Sequence, residues 1–168
     1  IIVLCHDPLK KERTYKRKIT LLLGQKQQLW WDVSAKDNYR LLKDIYELSN
    51  QKYEQNLKEL VEMLGAEDIL DSPVRTLSLG ERMKCELIGS LIYKPEILFL
   101  DEPTIGMDLI AQKDVREFIR NYSLKNNATV ILTSHNMGDI EAVCDRTIFL
   151  DEGKVYYDGK LSDFAKEH

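Results

Sequence analysis

The sequence has few cysteines, no long apolar run and no recognisable leader, and each absence excludes a class of protein. Its 168 residues include three cysteines, Cys5, Cys85 and Cys144. They are widely spaced and form no Cys-x-x-Cys pair, which argues against a disulfide framework or a zinc site and favours a reducing compartment. No apolar run approaches the roughly 20 residues of a membrane-spanning helix. The first residues lack the basic segment and the small-residue cleavage site of a signal peptide.

A large excess of charge of one sign is also absent. The net charge is −4, with 24 basic and 28 acidic residues interspersed along the chain. A protein that binds the phosphate backbone of nucleic acids carries a concentrated basic face. One basic cluster occurs between residues 10 and 18, and such a charge run is usually a solvated helix or loop face. We therefore expect a folded globular domain with no nucleic-acid partner.

The order of the predicted elements indicates an α/β fold. Short apolar runs predict strands over residues 1–5, 19–23, 97–100, 129–133 and 146–150, the last leading into a hairpin turn at 151–154. A periodicity of 3.6 residues predicts helices over about 37–64, 81–93, 109–124 and 137–144, and a short helix after Ser162. Strands that alternate with helices are typical of a mostly parallel sheet. The chain thus divides into a helical middle, residues 26–94, flanked by two parts of one α/β core, residues 1–25 and 95–168.

Two consecutive carboxylates, Asp101 and Glu102, follow the apolar run Ile97–Leu100. Ligands bind at the carboxyl edge of open α/β sheets, and side chains alternate along a strand. One carboxylate can then orient a metal ion while the other faces an attacking water. Two acids at a solvated strand end are the alternative interpretation of this motif.

Leu77-Ser78-Leu79-Gly80-Glu81 opens a predicted helix. The unpaired N–H groups and the positive dipole end of a helix N-terminus suit a phosphate, which Ser78 and Gly80 could approach. Ser78 and Glu81 also have the spacing of a capping box, which needs no ligand. The two interpretations are compatible, because a hydroxyl can cap its helix in one state and meet a phosphate in another.

Two polar residues follow other predicted strands. His135 comes just after the strand 129–133, where an imidazole could reach a phosphate from the sheet edge, although lone histidines are usually structural. Gln25 follows the strand 19–23, and its neutral amide could contact water or a metal ion.

Taken in chain order, these segments resemble the ATP-binding domains of ABC ATPases over residues 1 to 160. The matches are Gln25 to the Q-loop glutamine, Leu77–Glu81 to the signature sequence, Asp101 to the Walker B aspartate, Glu102 to the catalytic glutamate, Asp108 to the D-loop aspartate and His135 to the switch histidine. The resemblance implies an incomplete P-loop NTPase-like core, with a mostly parallel sheet and an inserted helical subdomain. It also implies ATP and Mg²⁺ as ligands.

The resemblance further implies how these residues act. In the family, two ATP-binding subunits face each other head to tail, and each ATP lies between the phosphate loop of one subunit and the signature helix of the other. The nucleotide-binding residues would be Ser78, Leu79, Gly80, Glu81 and Asp108. The catalytic residues would be Glu102, which polarises the water, His135, which steadies the phosphoryl group, and Gln25, which organises Mg²⁺ together with Asp101.

The segments around Gln25, Arg75–Gly80 and Thr104–Gly106 are similar to a bacterial exporter branch that pairs with ABC-2-class permeases. Trp30 and Trp31 would then lie beside the Q-loop, at the surface that docks on a transmembrane permease subunit. Burial of both indoles in the core is the alternative. The resemblance places such a subunit in the cytoplasm, at the inner face of the plasma membrane, where only the permease connects it to the bilayer.

The sequence departs from the family pattern in three ways. Leu79 stands where glycine is commonest, and Glu81 stands where glutamine is commonest. No Gly-x-x-x-x-Gly-Lys-[Ser/Thr] phosphate loop (Walker A) occurs in these residues. The chain also opens within an apolar run without an initiator Met, so we expect a truncated domain. Such a domain would expose apolar sheet surface and hydrolyse ATP weakly or not at all alone.

Two other functions are weighed against this one. The chain could be a non-catalytic interaction module that docks on a permease. It could also be an ABC-type ATPase of DNA repair or translation, but 51 residues between Gln25 and Leu77 are too few for the long coiled coil of the repair proteins, and a translation factor would carry two cassettes.

Overall fold

The computed structural model describes residues 2–10 and 12–167. The strands are β1 (Ile19–Leu23), β2 (Ile97–Asp101), β3 (Thr129–Thr133), β4 (Thr147–Asp151) and β5 (Lys154–Gly159). The helices are α1 (Arg13–Lys16), α2 (Ala35–Ile45), α3 (Asn50–Leu64), α4 (Leu79–Leu91), α5 (Leu109–Asn126), α6 (Met137–Val143) and α7 (Leu161–Glu167). Short 3₁₀ turns lie at Pro8–Lys10, Glu67–Ile69 and Val74–Thr76.

The predicted first strand is wrong. Ile1 lies outside the described residues, and Val3 and His6 form an isolated antiparallel bridge across a tight turn. Leu4 and Cys5 lie in the left-handed region of the backbone, with φ of 49° and 61°. A strand cannot continue through two such residues, because extended backbone requires negative φ.

Three parallel strands form the sheet that organises the molecule, in the order β1-β2-β3. Leu22 of β1 is in register with Leu100 of β2, which is in register with Leu132 of β3. All three strands therefore end at one edge, which is the carboxyl edge. The strands β4 and β5 form a separate antiparallel hairpin, as the turn residues at 151–154 predict.

Side-chain caps fix the ends of the helices. Ser34, Ser49, Ser78 and Asp108 accept hydrogen bonds from backbone N–H groups in the first turns of α2, α3, α4 and α5. Gly65 ends α3 with a φ of 56°, as its position after the periodic segment predicts. The core joins one face of the sheet to α2, α3, α4 and α5 and is built mainly of buried leucine, with smaller numbers of valine, isoleucine, tyrosine and alanine.

The other face of the sheet is open. Leu21 of β1 and Ile131 of β3 flank Phe99 of β2 in register, and these two outer side chains are 52% and 49% exposed. The exposed apolar sheet surface expected from the sequence is therefore present. Among the described residues, no helix is both long enough and apolar enough to cross a bilayer.

Candidate functional site

Asp101 ends β2 at the carboxyl edge of the sheet, in register with Leu23 of β1 and Thr133 of β3. The hydroxyl Oγ1 of Thr133 donates a hydrogen bond to Asp101 Oδ1 at 2.5 Å. The Asp101 side chain is otherwise exposed. A carboxylate that is oriented on one side and open to solvent on the other is available to a ligand at this edge.

Glu102 turns the chain sharply out of the sheet. Its φ is 51°, a backbone conformation that costs a residue other than glycine about 1 kcal/mol or more. Its backbone N–H donates to the carbonyl of Thr133 at 3.0 Å, so the turn is anchored to β3. The turn sends the Glu102 side chain toward the segment that follows β3.

Glu102 and His135 are in direct contact. Glu102 Oε1 accepts a hydrogen bond from the His135 backbone N–H at 3.0 Å and lies 2.9 Å from His135 Nδ1. The side chain of Glu102 is 24% exposed and that of His135 is 75% exposed. The structure thus places the predicted residues Asp101, Glu102 and His135 together at one edge of the sheet.

Gly24 lets the turn after β1 approach this edge. Its N–H donates to the carbonyl of Asp101 at 2.8 Å. A Cβ atom at this position would lie 2.0 Å from the carbonyl oxygen of Glu102, so no other residue fits without moving the backbone. This close approach packs the turn that contains Gln25 against the backbone of Asp101 and Glu102.

Gln25 lines a cavity of about 220 Å³ between the turn after β1 and helix α4. Leu79, Met83 and Ile105 supply apolar walls, and the carboxylate of Glu86 supplies a polar one. The predicted Q-loop and the predicted signature segment therefore share a cavity.

Ser78 and Glu81 form the capping box predicted as the structural alternative. Ser78 Oγ accepts from the Glu81 N–H at 3.3 Å, and Glu81 Oε2 accepts from the Ser78 N–H at 2.9 Å. Hydrogen bonds from the Ser78 side chain and backbone hold the pKa of Glu81 below its usual value. Neither residue has a hydrogen bond to Asp101, Glu102 or His135 among the described contacts.

The start of α4 packs against the start of α5. A Cβ at Gly80 would lie 2.9 Å from Ala111 Cβ, and one at Gly106 would lie 3.1 Å from Leu79 Cδ2. Asp108 caps α5 through hydrogen bonds from the N–H groups of Ile110 and Ala111 at 2.9 and 3.0 Å. The bond from Ala111 is the main reason that the pKa of Asp108 lies below its usual value.

Asp108 and the signature segment Ser78–Glu81 thus form a second cluster, at two adjacent helix N-termini. Leu79 connects this cluster to the cavity that Gln25 lines. Both helix N-termini present backbone N–H groups and positive dipole ends, which favour an anionic ligand.

Trp30 and Trp31 lie on the surface, so the alternative of two core indoles is wrong. Trp30 is 65% exposed, and Asn38 fixes its backbone by accepting from its N–H at 2.7 Å and donating to its carbonyl at 3.0 Å. The guanidinium of Arg82 lies over the ring of Trp31, 4.9 Å from the centroid. Two exposed indoles therefore lie beside the Gln25 turn, with the backbone of Trp30 held by Asn38 and the ring of Trp31 covered by Arg82.

Within residues 2–10 and 12–167, no group of three or more His, Cys, Asp and Glu side chains could hold a metal ion by itself. Mg²⁺ in phosphoryl-transfer sites is bound by one or two protein ligands together with substrate phosphates and water. The exposed Asp101 fits that smaller requirement, and Gln25 follows Gly24 in the turn that packs against the same strand end.

Some residues that build the site carry no local sequence signal. Gly24 is required because the carbonyl of Glu102, a residue more than 70 positions later in the chain, leaves no room for a Cβ atom. Asp139 is a single acid in a short helical segment, yet its side chain is buried and accepts three hydrogen bonds. The buried Glu86 similarly holds the N–H groups of Gln28 and Leu29.

Comparison with known proteins agrees with the geometry. The family model described as ABC transporter matches residues 1–105. The ABC transporter ATP-binding protein NatA of Bacillus subtilis is 30% identical over 155 residues, which are 92% of this chain and 63% of that protein. The daunorubicin resistance ATP-binding protein DrrA3 of Streptomyces coeruleorubidus is 30% identical over 162 residues, 96% of this chain and 51% of that protein.

A solved structure described as the ATP binding subunit of an ABC transporter superposes with a TM-score of 0.82 at 24% identity, and covers 99% of this chain and 68% of that one. This likeness confirms the predicted fold class. The chain spans 51–63% of the length of the two curated relatives.

Proposed function

Because the chain belongs to the ABC transporter family, we propose that it is the ATP-binding and ATP-hydrolysing part of a transporter and powers an ABC-2-type membrane permease. The residues described above then act on a nucleotide held at the carboxyl edge of the sheet. The daunorubicin resistance protein DrrA3 is one relative whose name fits an exporter branch.

The observation that carries this proposal is the contact of Glu102 with His135 beside Asp101. A half-buried carboxylate at a sheet edge is a suitable general base for an attacking water. Nδ1 of His135 is the ring nitrogen that faces Glu102, which leaves Nε2 as the ring nitrogen that could meet the transferring phosphoryl group; it donates a hydrogen bond there only when the ring carries a proton on both nitrogens. Catalysis then depends on positioning and charge, as is typical of phosphoryl transfer.

Asp101 and Gln25 are the residues that would hold Mg²⁺. When bound with ATP, the ion neutralises phosphate charge and orients the terminal phosphoryl group. Thr133 would orient the Asp101 carboxylate for this role, because its hydroxyl donates a hydrogen bond to Asp101 Oδ1.

The signature segment supports a head-to-tail arrangement with a second ATP-binding subunit. Ser78, Leu79, Gly80 and Glu81 open helix α4, and Asp108 opens α5 beside it. These helix N-termini would bind the phosphates of the nucleotide held by the partner subunit. Asp101, Glu102 and His135 would act instead on the nucleotide at this chain's own sheet edge, opposite the signature segment of the partner subunit.

Trapping of the assembled state tests this function. Glu102→Gln keeps the shape of the side chain but removes its basicity, so ATP is bound and not cleaved. We expect the variant to form a stable complex in Mg-ATP with a complete ATP-binding subunit of the same family, as measured by size-exclusion chromatography. The matched control is Glu152→Gln, because Phe-Leu-Asp also precedes Glu152 and its φ is also positive. Equal complex formation by both variants contradicts the proposal.

The exposed indoles of Trp30 and Trp31 support a surface that docks on the permease. A non-catalytic interaction module would need the same surface. Trp30 is an exposed tryptophan, one of the residue types that dominate the binding energy of protein interfaces. We expect Trp30→Ala to weaken capture of the detergent-solubilised permease by about 10-fold or more. Leu124→Ala is the control, since Leu124 is similarly exposed on α5. A loss of the same size for both variants rules out this surface. Through the permease, the chain would lie at the inner face of the plasma membrane.

A further inference from the structure

Asp139 is a buried carboxylate in the first turn of α6. Its side chain is 1% exposed. Oδ2 accepts hydrogen bonds from Thr104 Oγ1 and Ser134 Oγ, each at 2.6 Å, and Oδ1 accepts one from Arg116 Nε at 2.6 Å. A charged group is tolerated in the interior only when it is paired and hydrogen-bonded, and these three donors meet that requirement.

The three donors come from the segments that carry the candidate site. Thr104 lies two residues after Glu102, and Ser134 immediately precedes His135. Arg116 lies on α5, and its NH2 group donates to Gln112, whose amide in turn donates to the Met107 carbonyl. The Asp139 carboxylate therefore connects the segment that carries Glu102 with the segment that carries His135. Through Arg116 and Gln112 it also connects both to the loop that leads into α5.

Ser134 transmits this constraint to His135. Its hydroxyl donates to Asp139 and accepts from the Asn136 N–H at 3.0 Å. The His135 N–H lies between these two residues in the chain and donates to Glu102. The backbone that presents His135 is thus held by Asp139 on one side and by Glu102 on the other.

Asp139 is ionised within this network. Burial opposes its charge, but the hydrogen bonds from Ser134, Thr104 and Arg116 outweigh burial, and the pKa of Asp139 lies below its usual value. Hydrogen bonds to a charged acceptor are roughly twice as strong as those between neutral groups, so Asp139 is a firm anchor.

We propose that Asp139 is a positioning residue that acts through Ser134 and Thr104 to hold His135 against Glu102 before nucleotide arrives. The inference rests on the roles proposed above for Glu102 and His135. Its test needs no nucleotide, so failure of the proposed function would leave the result of this test unchanged.

The test compares Asp139→Asn with Asp145→Asn in the purified chain. Asp145 is a matched control, because it pairs with Arg120, one turn along α5 from Arg116, but is 82% exposed and, among the described hydrogen bonds, has none to the segments that carry Glu102 and His135. The readouts are the chemical shift and hydrogen-exchange rate of the His135 backbone amide by NMR, alongside the amides of β2 as an internal reference. We expect exchange at His135 to accelerate at least about 10-fold relative to β2 in Asp139→Asn, and to be unchanged in Asp145→Asn.

A merely structural role gives a different pattern. If exchange in Asp139→Asn accelerates by the same factor at His135 and throughout β2, or does not change at His135, the proposal is overturned. Ser134→Ala is the second variant in case Asp139→Asn does not fold, because it removes one hydroxyl and leaves Arg116 and Thr104 on Asp139. We expect the same local acceleration at His135, and unchanged exchange there also overturns the proposal.

Discussion

At the scale of the residue, the same four-residue sequence has different surroundings at two places in the chain, and only one of them forms a candidate site. Phe-Leu-Asp-Glu occurs twice, at residues 99–102 and 149–152, and in both copies the strand ends at the aspartate and the glutamate has a positive φ. The first copy lies in the parallel sheet, where Glu102 meets His135. The second copy starts the exposed turn of the β4–β5 hairpin. A carboxylate pair alone is therefore weak evidence for a site, and the ordered set of motifs was needed to distinguish the two.

Glu86 gives a residue-scale prediction. Its Oε1 accepts from the N–H groups of Gln28 and Leu29 at 3.0 and 3.2 Å, while Oε2 is buried without a partner. Burial raises the pKa of Glu86, and the hydrogen bonds from Gln28 and Leu29 only partly offset this. The unfolded state therefore ionises more readily, so the charge of Glu86 disfavours folding once the pH exceeds its ordinary pKa of 4.5.

Glu86→Gln keeps the acceptor and removes the charge. We expect the variant to unfold at a higher urea concentration than the wild type at pH 8, with the difference shrinking steadily toward pH 5. Glu62→Gln, at an exposed position of α3, should show no such trend. Lower stability of Glu86→Gln across the whole range would mean that the charge of Glu86 is stabilising and that this explanation is wrong.

At the scale of the element, sequence periodicity predicted most of the structure. The strands that start near residues 19, 97, 129 and 147 and the helices between them lie within about two residues of their expected bounds. The prediction of a strand over residues 1–5 was wrong, because five apolar residues do not reveal whether a partner strand is present. The chain reverses at Leu4 and Cys5 instead. The capping box of Ser78 and Glu81 could be predicted from the sequence, because its two residues are only three positions apart.

Helix α4 provides a prediction that separates capping from ligand binding. Ser78 Oγ accepts from Glu81 N–H and Ser49 Oγ accepts from Lys52 N–H, both at 3.3 Å. Loss of such a cap costs about 1 kcal/mol. We expect Ser78→Ala and Ser49→Ala to lower the free energy of unfolding by similar amounts in thermal or urea denaturation.

Only Ser78→Ala should also reduce the ATP turnover that the chain stimulates in a complete partner subunit, by at least about 10-fold. If both variants leave this turnover equally intact, Ser78 is a helix cap and nothing more.

At the scale of the whole molecule, the sheet brings distant residues to one edge. Gly24, Asp101 and Thr133 come from three separate parts of the chain and meet because β1, β2 and β3 are parallel and in register. Strand order and register depend on contacts between distant residues, so the sequence could predict a parallel sheet but not the Thr133–Asp101 bond or the need for Gly24. The position of Asp139 was missed for the same reason. The division into residues 1–25, 26–94 and 95–168 stays a prediction.

The central claim is that Glu102, presented to His135 at the sheet edge, is the base for ATP hydrolysis. The most direct test is phosphate release from Mg-ATP by the purified chain, for wild type, Glu102→Gln and Glu152→Gln. Each is measured alone and mixed with a complete ATP-binding subunit of the family whose own catalytic glutamate is replaced by glutamine, so that turnover in the mixture depends on Glu102. We predict turnover near background for the chain alone and clear stimulation in the mixture. Glu102→Gln should lower this stimulation by about 100-fold or more, and Glu152→Gln should change it less than about twofold. Robust turnover by the chain alone, or equal effects of the two substitutions, would contradict the account.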